Sequence, residues 1–136
     1  MKKVTGVGGI FFRTKSPDKT KQWYEQHLGL QTDEWGTSFE FRQAENPELK
    51  GFLQWSPMAE DSSHLPDNQD FMVNYRVDDL VALVEELKAN GVKILDEIET
   101  YEYGKFVHII DNNGLKVELW EPVDEVFDKA VKGRTK

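Results

Sequence analysis

One order of elements is written twice along this chain. "VGGIFFRT" (7–14) reads as a strand and "SPDKTKQWYEQHLG" (16–29) as a helix with full end signals. Ser16 suits the N-cap, Pro17 the first helical position, Asp18 the positive end of the dipole, and Gly29 the left-handed C-terminal position. Short strands follow near 30–35, 38–43 and 51–56. The order then restarts: "FMVNYRV" (71–77) is a strand and "DDLVALVEELKANG" (78–91) an amphipathic helix with Leu80, Leu83, Val84 and Leu87 at the 3.6 period. Strands follow near 92–98, 104–110 and 115–120. Arg13 and Arg76 both end a strand that leads into a helix, and Gly29 and Gly91 both close that helix. Trp55-Ser56-Pro57 and Trp120-Glu121-Pro122 both end a unit. A repeat of this size is a duplicated supersecondary unit whose copies share one core. Repeat one spans about 4–57, a polar linker 58–70, and repeat two 71–122. Together, 1–122 form one domain. The tail 123–136 has Val123, Val126, Phe127, Ala130 and Val131 at helical spacing and is expected to dock a short helix on the body or on a partner subunit.

Composition narrows the partners. The chain of 136 residues suits one domain with a real core, and 38% hydrophobic against 31% charged residues suits a globular protein. A net charge of −8 argues against nucleic acid or an anionic membrane as partner. There is no cysteine, which excludes disulfides, thiolate nucleophiles and cysteine zinc sites. The N-terminal apolar run is too short and too Gly-rich for a secretory signal, and no segment is long enough to span a bilayer. A cytoplasmic location is expected. The sequence has no Gly-rich phosphate loop, nucleophile elbow or His-x-x-x-His pattern.

Two ionisable groups stand in strands that otherwise look buried, within "GKFVHIIDNNGLKVELWEP" (104–122). If Asp111-Asn112-Asn113-Gly114 forms a type I turn with a glycine bulge, Asp111 pairs with Leu115 and His108 falls opposite Glu118, with Phe106 and Trp120 on the same face. The other turn register sends His108 into the helix-packed side as a core histidine, the commoner role for a lone strand histidine. His27, near a helix C-terminus, suits the dipole, and His64 lies solvated in the linker.

"WYEQHLGL" (23–30), "IIDNNGLKVELWEP" (109–122) and "FMVNYRVDDL" (71–80), set in a duplicated βαβββ unit, resemble the vicinal oxygen chelate superfamily of glyoxalases, bleomycin-resistance proteins and extradiol dioxygenases. The resemblance implies an α+β fold in which two βαβββ repeats form a curved mixed sheet around a cleft, with helices outside. In metal-dependent members, four inward His, Glu or Gln side chains hold a divalent ion that acts as a Lewis acid. Carried over one at a time, those positions fall on Gly9, which has no donor; on Leu53, or on Gln54 after a one-residue slip; on Met72; and on Glu118, which matches. The resemblance thus implies an incomplete metal site, and no cofactor is expected.

The reading places Phe11, Arg13, Met72, Asn74, Arg76, Phe106 and Trp120 on the cleft face as ligand-binding candidates, with Glu118 and His108 at the polar centre. Gln54 and Trp55 are further candidates on a strand whose register is open, and tryptophans at strand ends are more often core or interface residues. Val73, Tyr75 and Val77 pack on the helix. Three functions fit, in this order. The first is a binding module for a small organic molecule, with aromatic faces and carboxylates favouring a cation. The second is a metal-free isomerase or lyase using Glu118 and His108 as base and acid. The third is a divalent-metal-dependent glyoxalase-type lyase or dioxygenase. A homodimer is the expected assembly, covering sheet edges and apolar faces.

Overall fold

Side chains start both helices of the repeat, as the sequence predicts. In the computed structural model, which describes residues 3–136, α1 (Pro17–Leu28) is capped by Ser16, whose hydroxyl accepts the Lys19 N–H, and α2 (Leu80–Ala89) by Asp79, whose carboxylate accepts the Ala82 N–H. Gly29 closes α1 at φ 74°, where a left-handed backbone favours glycine.

The strands are β1 (Val4–Thr14), β2 (Thr37–Gln43), β3 (Asn46–Ala59), β4 (Phe71–Val77), β5 (Glu99–Tyr101), β6 (Gly104–Ile110), β7 (Lys116–Pro122) and β8 (Arg134–Thr135). They form one eight-stranded sheet in the order β5-β6-β7-β4-β1-β3-β2-β8. The duplication shows in the pairing. β1 runs parallel to β3, which pairs antiparallel with β2; β4 runs parallel to β7, which pairs antiparallel with β6. The halves join where β1 and β4 pair antiparallel.

Two expected strands take another form. Residues 30–35 contribute only the Asp33↔Gly36 bridge. The Asp33 carboxylate accepts the N–H groups of Trp35 and Gly36 and turns the chain there. The outer slot of the first half is filled instead by β8, which pairs parallel with β2, so the eighth strand comes from the tail. In the second half, 92–98 gives only the Ile94↔Ile109 bridge, and the strand is β5. β3 runs on to Ala59, which shortens the loop to 60–70.

Each face of the sheet has its own packing. On the helix face, Val77, Leu80, Leu83, Val84, Val107 and Leu119 form a buried cluster with Tyr75, Ile109 and Val117 against it. The other face is covered in its middle by the tail. The helix α3 (Asp124–Ala130) sets Phe127 against Phe52 and Trp120, with ring centroids 5.1 and 5.4 Å apart. Phe52 and Trp120 are buried as a result. The tail thus docks on the body, one of the two placements expected for it.

Candidate functional site

The β6–β7 turn decides where the ionisable groups point. Asp111 N–H bonds the Leu115 carbonyl, the Asp111 side chain accepts the N–H groups of Asn113 and Leu115, and Gly114 has φ 82°. This is the bulged register, and His108 lies directly opposite Glu118. The row continues across the sheet: Glu118 is level with Asn74, Asn74 with Gly9, and Gly9 with Gln54.

Four side chains in and beside this row form a continuous hydrogen-bonded run. Asn74 Nδ2 donates to Glu118 Oε1 at 2.7 Å, and His108 Nε2 lies 2.7 Å from Glu118 Oε2. His108 Nδ1 lies 2.6 Å from Asp96 Oδ2, and Asp96 Oδ1 accepts the His108 backbone N–H at 2.8 Å. Both ring nitrogens therefore face carboxylate oxygens, an arrangement satisfied only when both carry protons. Burial works against the imidazolium, but the hydrogen bonds to Glu118 and Asp96, with the charges behind them, outweigh it and raise the His108 pKa.

Asp96 escaped the sequence reading. Between Ile94↔Ile109 and Glu99↔Phe106 the pairing shifts by two residues. Asp96 lies in that irregularity, where its side chain takes the place of a backbone acceptor for His108. Regular alternation gives no sign of such a position.

Beside the row is an aromatic group. Phe106 and Trp120 stack at 5.6 Å, Tyr101 and Tyr103 stack at 5.5 Å, and both tyrosines meet Phe106 edge-on. Tyr101 and Tyr103 are exposed, and the Tyr101 hydroxyl donates to Glu99. Burial, followed by the charges of Glu118 and Glu99, raises the Tyr103 pKa.

Several candidates have other duties. Trp55 lies on the helix face, with its ring 5.2 Å from Phe12 and 4.8 Å from Tyr24 of α1; Gln54 takes the cleft side because strand neighbours alternate. Arg13 reaches the carbonyls of Glu60, Leu65, Pro66 and Gln69 and clamps the loop. Arg76 donates two bonds to Asp124 of α3, at 2.9 and 2.6 Å. Met72 is on the cleft side but buried, and Phe11 is half-buried beside Gly9.

The register also corrects the metal positions. The counterpart in β4 is Asn74 rather than Met72, and in β3 it is Gln54 rather than Leu53. The four positions are then Gly9, Gln54, Asn74 and Glu118. Gly9 has no donor, and the Phe11 ring lies 2.9 Å from where a Cβ would stand there. The Gln54 amide donates to Ser56 Oγ, and both oxygens of Glu118 already have partners. One carboxylate and two amides, each already hydrogen-bonded and with no donor at the fourth position, do not complete the four-residue set that holds the ion. Among the described residues, no three His, Cys, Asp or Glu groups converge as metal ligands.

The profile of the Glyoxalase/Bleomycin resistance protein/Dioxygenase superfamily matches residues 6–119. Among solved structures, methylmalonyl-CoA epimerase from Mycobacterium tuberculosis is similar at 22% identity and TM-score 0.64, over 92% of this chain and 93% of that one. A variant of the Streptomyces coelicolor methylmalonyl-CoA epimerase, in complex with 2-nitronate-propionyl-CoA, is similar at 17% identity and TM-score 0.66, over 88% and 99%. The Mn(II)-bound glyoxalase from Novosphingobium aromaticivorans is similar at 16% identity and TM-score 0.62, over 89% of this chain and 40% of that one. No curated protein matches the sequence.

Proposed function

Because the chain belongs to the glyoxalase/bleomycin resistance protein/dioxygenase superfamily, we propose that it binds a small organic cation, without a divalent metal, on the half of the cleft face that α3 leaves open. The observation that carries this reading is the pairing of Glu118 with an exposed aromatic group, Tyr101 and Tyr103 beside Phe106 and Trp120. Aromatic faces and carboxylates attract a desolvated cation. Arg13 and Arg76, the two arginines expected on this face, are both engaged elsewhere. An acyl-CoA carries phosphates that need cationic partners, so the substrate of the neighbouring epimerases is not carried over.

The test uses tetramethylammonium as the probe and propionate as the anionic control, followed by amide NMR shifts of the full chain. Saturable shifts at Tyr103, Phe106 and Glu118 are expected with the cation alone. Glu118→Gln is expected to weaken binding about tenfold or more, the order of a hydrogen bond or contact to a charged group. Equal binding of propionate would overturn the cation class. Stoichiometric Mn, Fe, Ni or Zn surviving dialysis would overturn the metal-free reading.

A second reading is favoured by the hydrogen-bonded run itself. A carboxylate linked through an imidazole to an exposed carboxylate is equipped for proton transfer, so an isomerisation beginning at an acidic C–H is the alternative. Homodimerisation remains part of the proposal: Trp23 and Leu28 of α1 and Trp35 beyond it are exposed, and a partner would cover them. Light scattering that returns the monomer mass at high micromolar concentration removes it.

A further inference from the structure

Asp96 uses both of its carboxylate oxygens on one residue. Oδ1 holds the His108 backbone N–H at 2.8 Å and Oδ2 holds ring Nδ1 at 2.6 Å. The first contact fixes the carboxylate against the strand; the second fixes the ring plane and points Nε2 at Glu118. At the inner end, Asn74 is buried and its amide holds the other oxygen of Glu118. At the outer end, the Asp96 side chain is 38% exposed, against 15% for His108 and 13% for Glu118. The run therefore passes from a covered carboxylate to one in contact with water.

We propose that Asp96 is the positioning residue and solvent end of a proton path in which Glu118 takes a proton from a bound acid and Asp96 passes one to water. This rests on the proton-transfer reading of the site. At rest, Asp96 and Glu118 are carboxylates and His108 holds protons on both nitrogens, a net charge of −1. A ligand bond to hydrogen breaks, the electron pair stays on the ligand, and the proton joins Glu118. The now neutral Glu118 no longer supports the imidazolium. The Nδ1 proton moves to Asp96 and then to water, while Nε2–H still donates to the Glu118 carboxyl. One proton has entered and one has left, and the three groups again sum to −1. A covered site thus handles a proton without changing its charge, and the reverse order returns it.

The surrounding charges fit this account. On β7, Lys116 lies two residues from Glu118, and its ammonium donates to the His64 carbonyl. On β5, Glu99 is engaged with Tyr101. Tyr103 stands in the β5–β6 turn, and Asn74 of β4 does not titrate. Asp96 and Glu118 are the carboxylates in contact with the ring.

The experiment reads the ring nitrogens and protons of His108 by NMR in the full chain, for the wild type, Asp96→Asn and Glu118→Gln. In Asp96→Asn an amide oxygen still accepts the backbone N–H, so the contact with the strand is kept while the charge facing Nδ1 is removed. The proposal expects the midpoint of the titration to fall by about one pH unit. In the wild type, the Nδ1 proton is expected to exchange with water faster than the Nε2 proton, a measurement that needs no variant. An unmoved midpoint in Asp96→Asn, or faster exchange at Nε2, overturns the proposal. The functional reading fails separately: if Glu118→Gln leaves tetramethylammonium binding unchanged while His108 behaves as expected, the path stands and the ligand site does not.

Discussion

Asp124→Ala is expected to cost about 3–5 kcal/mol of folding stability, the range for removing one partner of a buried ion pair. Arg76→Met is expected to cost much less. The asymmetry follows from where the two charges stand. The Arg76 side chain is 5% exposed and that of Asp124 20%. Without Asp124 the guanidinium keeps the Phe52 carbonyl at 3.5 Å and the faces of Phe41 and Trp120 at 5.3 and 5.5 Å. None of these offsets the loss of hydration around a covered cation. Without Arg76, by contrast, Asp124 can turn to water at the start of α3, and methionine fills most of the vacated volume. The double variant should recover much of the loss of Asp124→Ala, because it removes the unpaired cation. Urea unfolding of the four proteins measures the cycle. The cost is also limited by the free energy that docks α3, since undocking would rehydrate Arg76. Hydrogen exchange across 124–130 should therefore rise in Asp124→Ala. A loss under about 1 kcal/mol with unchanged exchange would show that the pair does not hold the tail on the sheet.

This tail is also where the sequence was least explicit. Its helical spacing predicted a short helix, and Phe127 was among the residues expected to dock. Nothing local to "KGRTK" (132–136) indicated that Arg134–Thr135 would pair with β2, because the pairing joins Ser38 to Arg134 and is set by the free edge that the Asp33 turn leaves. The duplicated halves were legible because periodicity and end signals are local. The His108–Glu118 pairing was legible as one of two registers, since turn length fixes the partner in a hairpin. The β1–β3 and β4–β7 registers were not, because the strands in each pair are separated by a helix and further strands. Leu53, with Gln54 as the alternative after a one-residue slip, and Met72 were accordingly named where Gln54 and Asn74 stand. Trp55 was named as a ligand-binding candidate with core or interface packing as the commoner role, and it packs on the helix face against Phe12 and Tyr24. The arginines were correctly placed near strand ends, but their partners, loop carbonyls and Asp124, come from segments whose approach no local pattern records.

Glu118→Gln is expected to lower the His108 pKa and to flatten the dependence of stability on pH above neutrality. In the folded protein the His108 pKa is raised; hydrogen bonds and charges from Glu118 and Asp96 outweigh the burial that opposes them. In the unfolded chain it returns to about 6.5. A histidine of this kind binds its proton more tightly when folded. Its contribution is therefore complete below about pH 6.5 and is lost as pH rises through the folded value, with a slope of at most about 1.4 kcal/mol per pH unit. The amide in Glu118→Gln still accepts a hydrogen bond from Nε2 but carries no charge, so the folded value moves back toward the unfolded one and the window narrows from above. Urea unfolding between pH 6 and 9 gives the difference curve, in which contributions from distant groups cancel, and an NMR titration of His108 locates the midpoints. The two measurements must agree, because the total change in the difference curve is fixed by the shift in pKa. A parallel loss of stability at every pH, with an unmoved titration, would mean that Glu118 packs against the ring without sharing its proton. In that case neither the proton path nor the charge that draws a cation would have its source in Glu118.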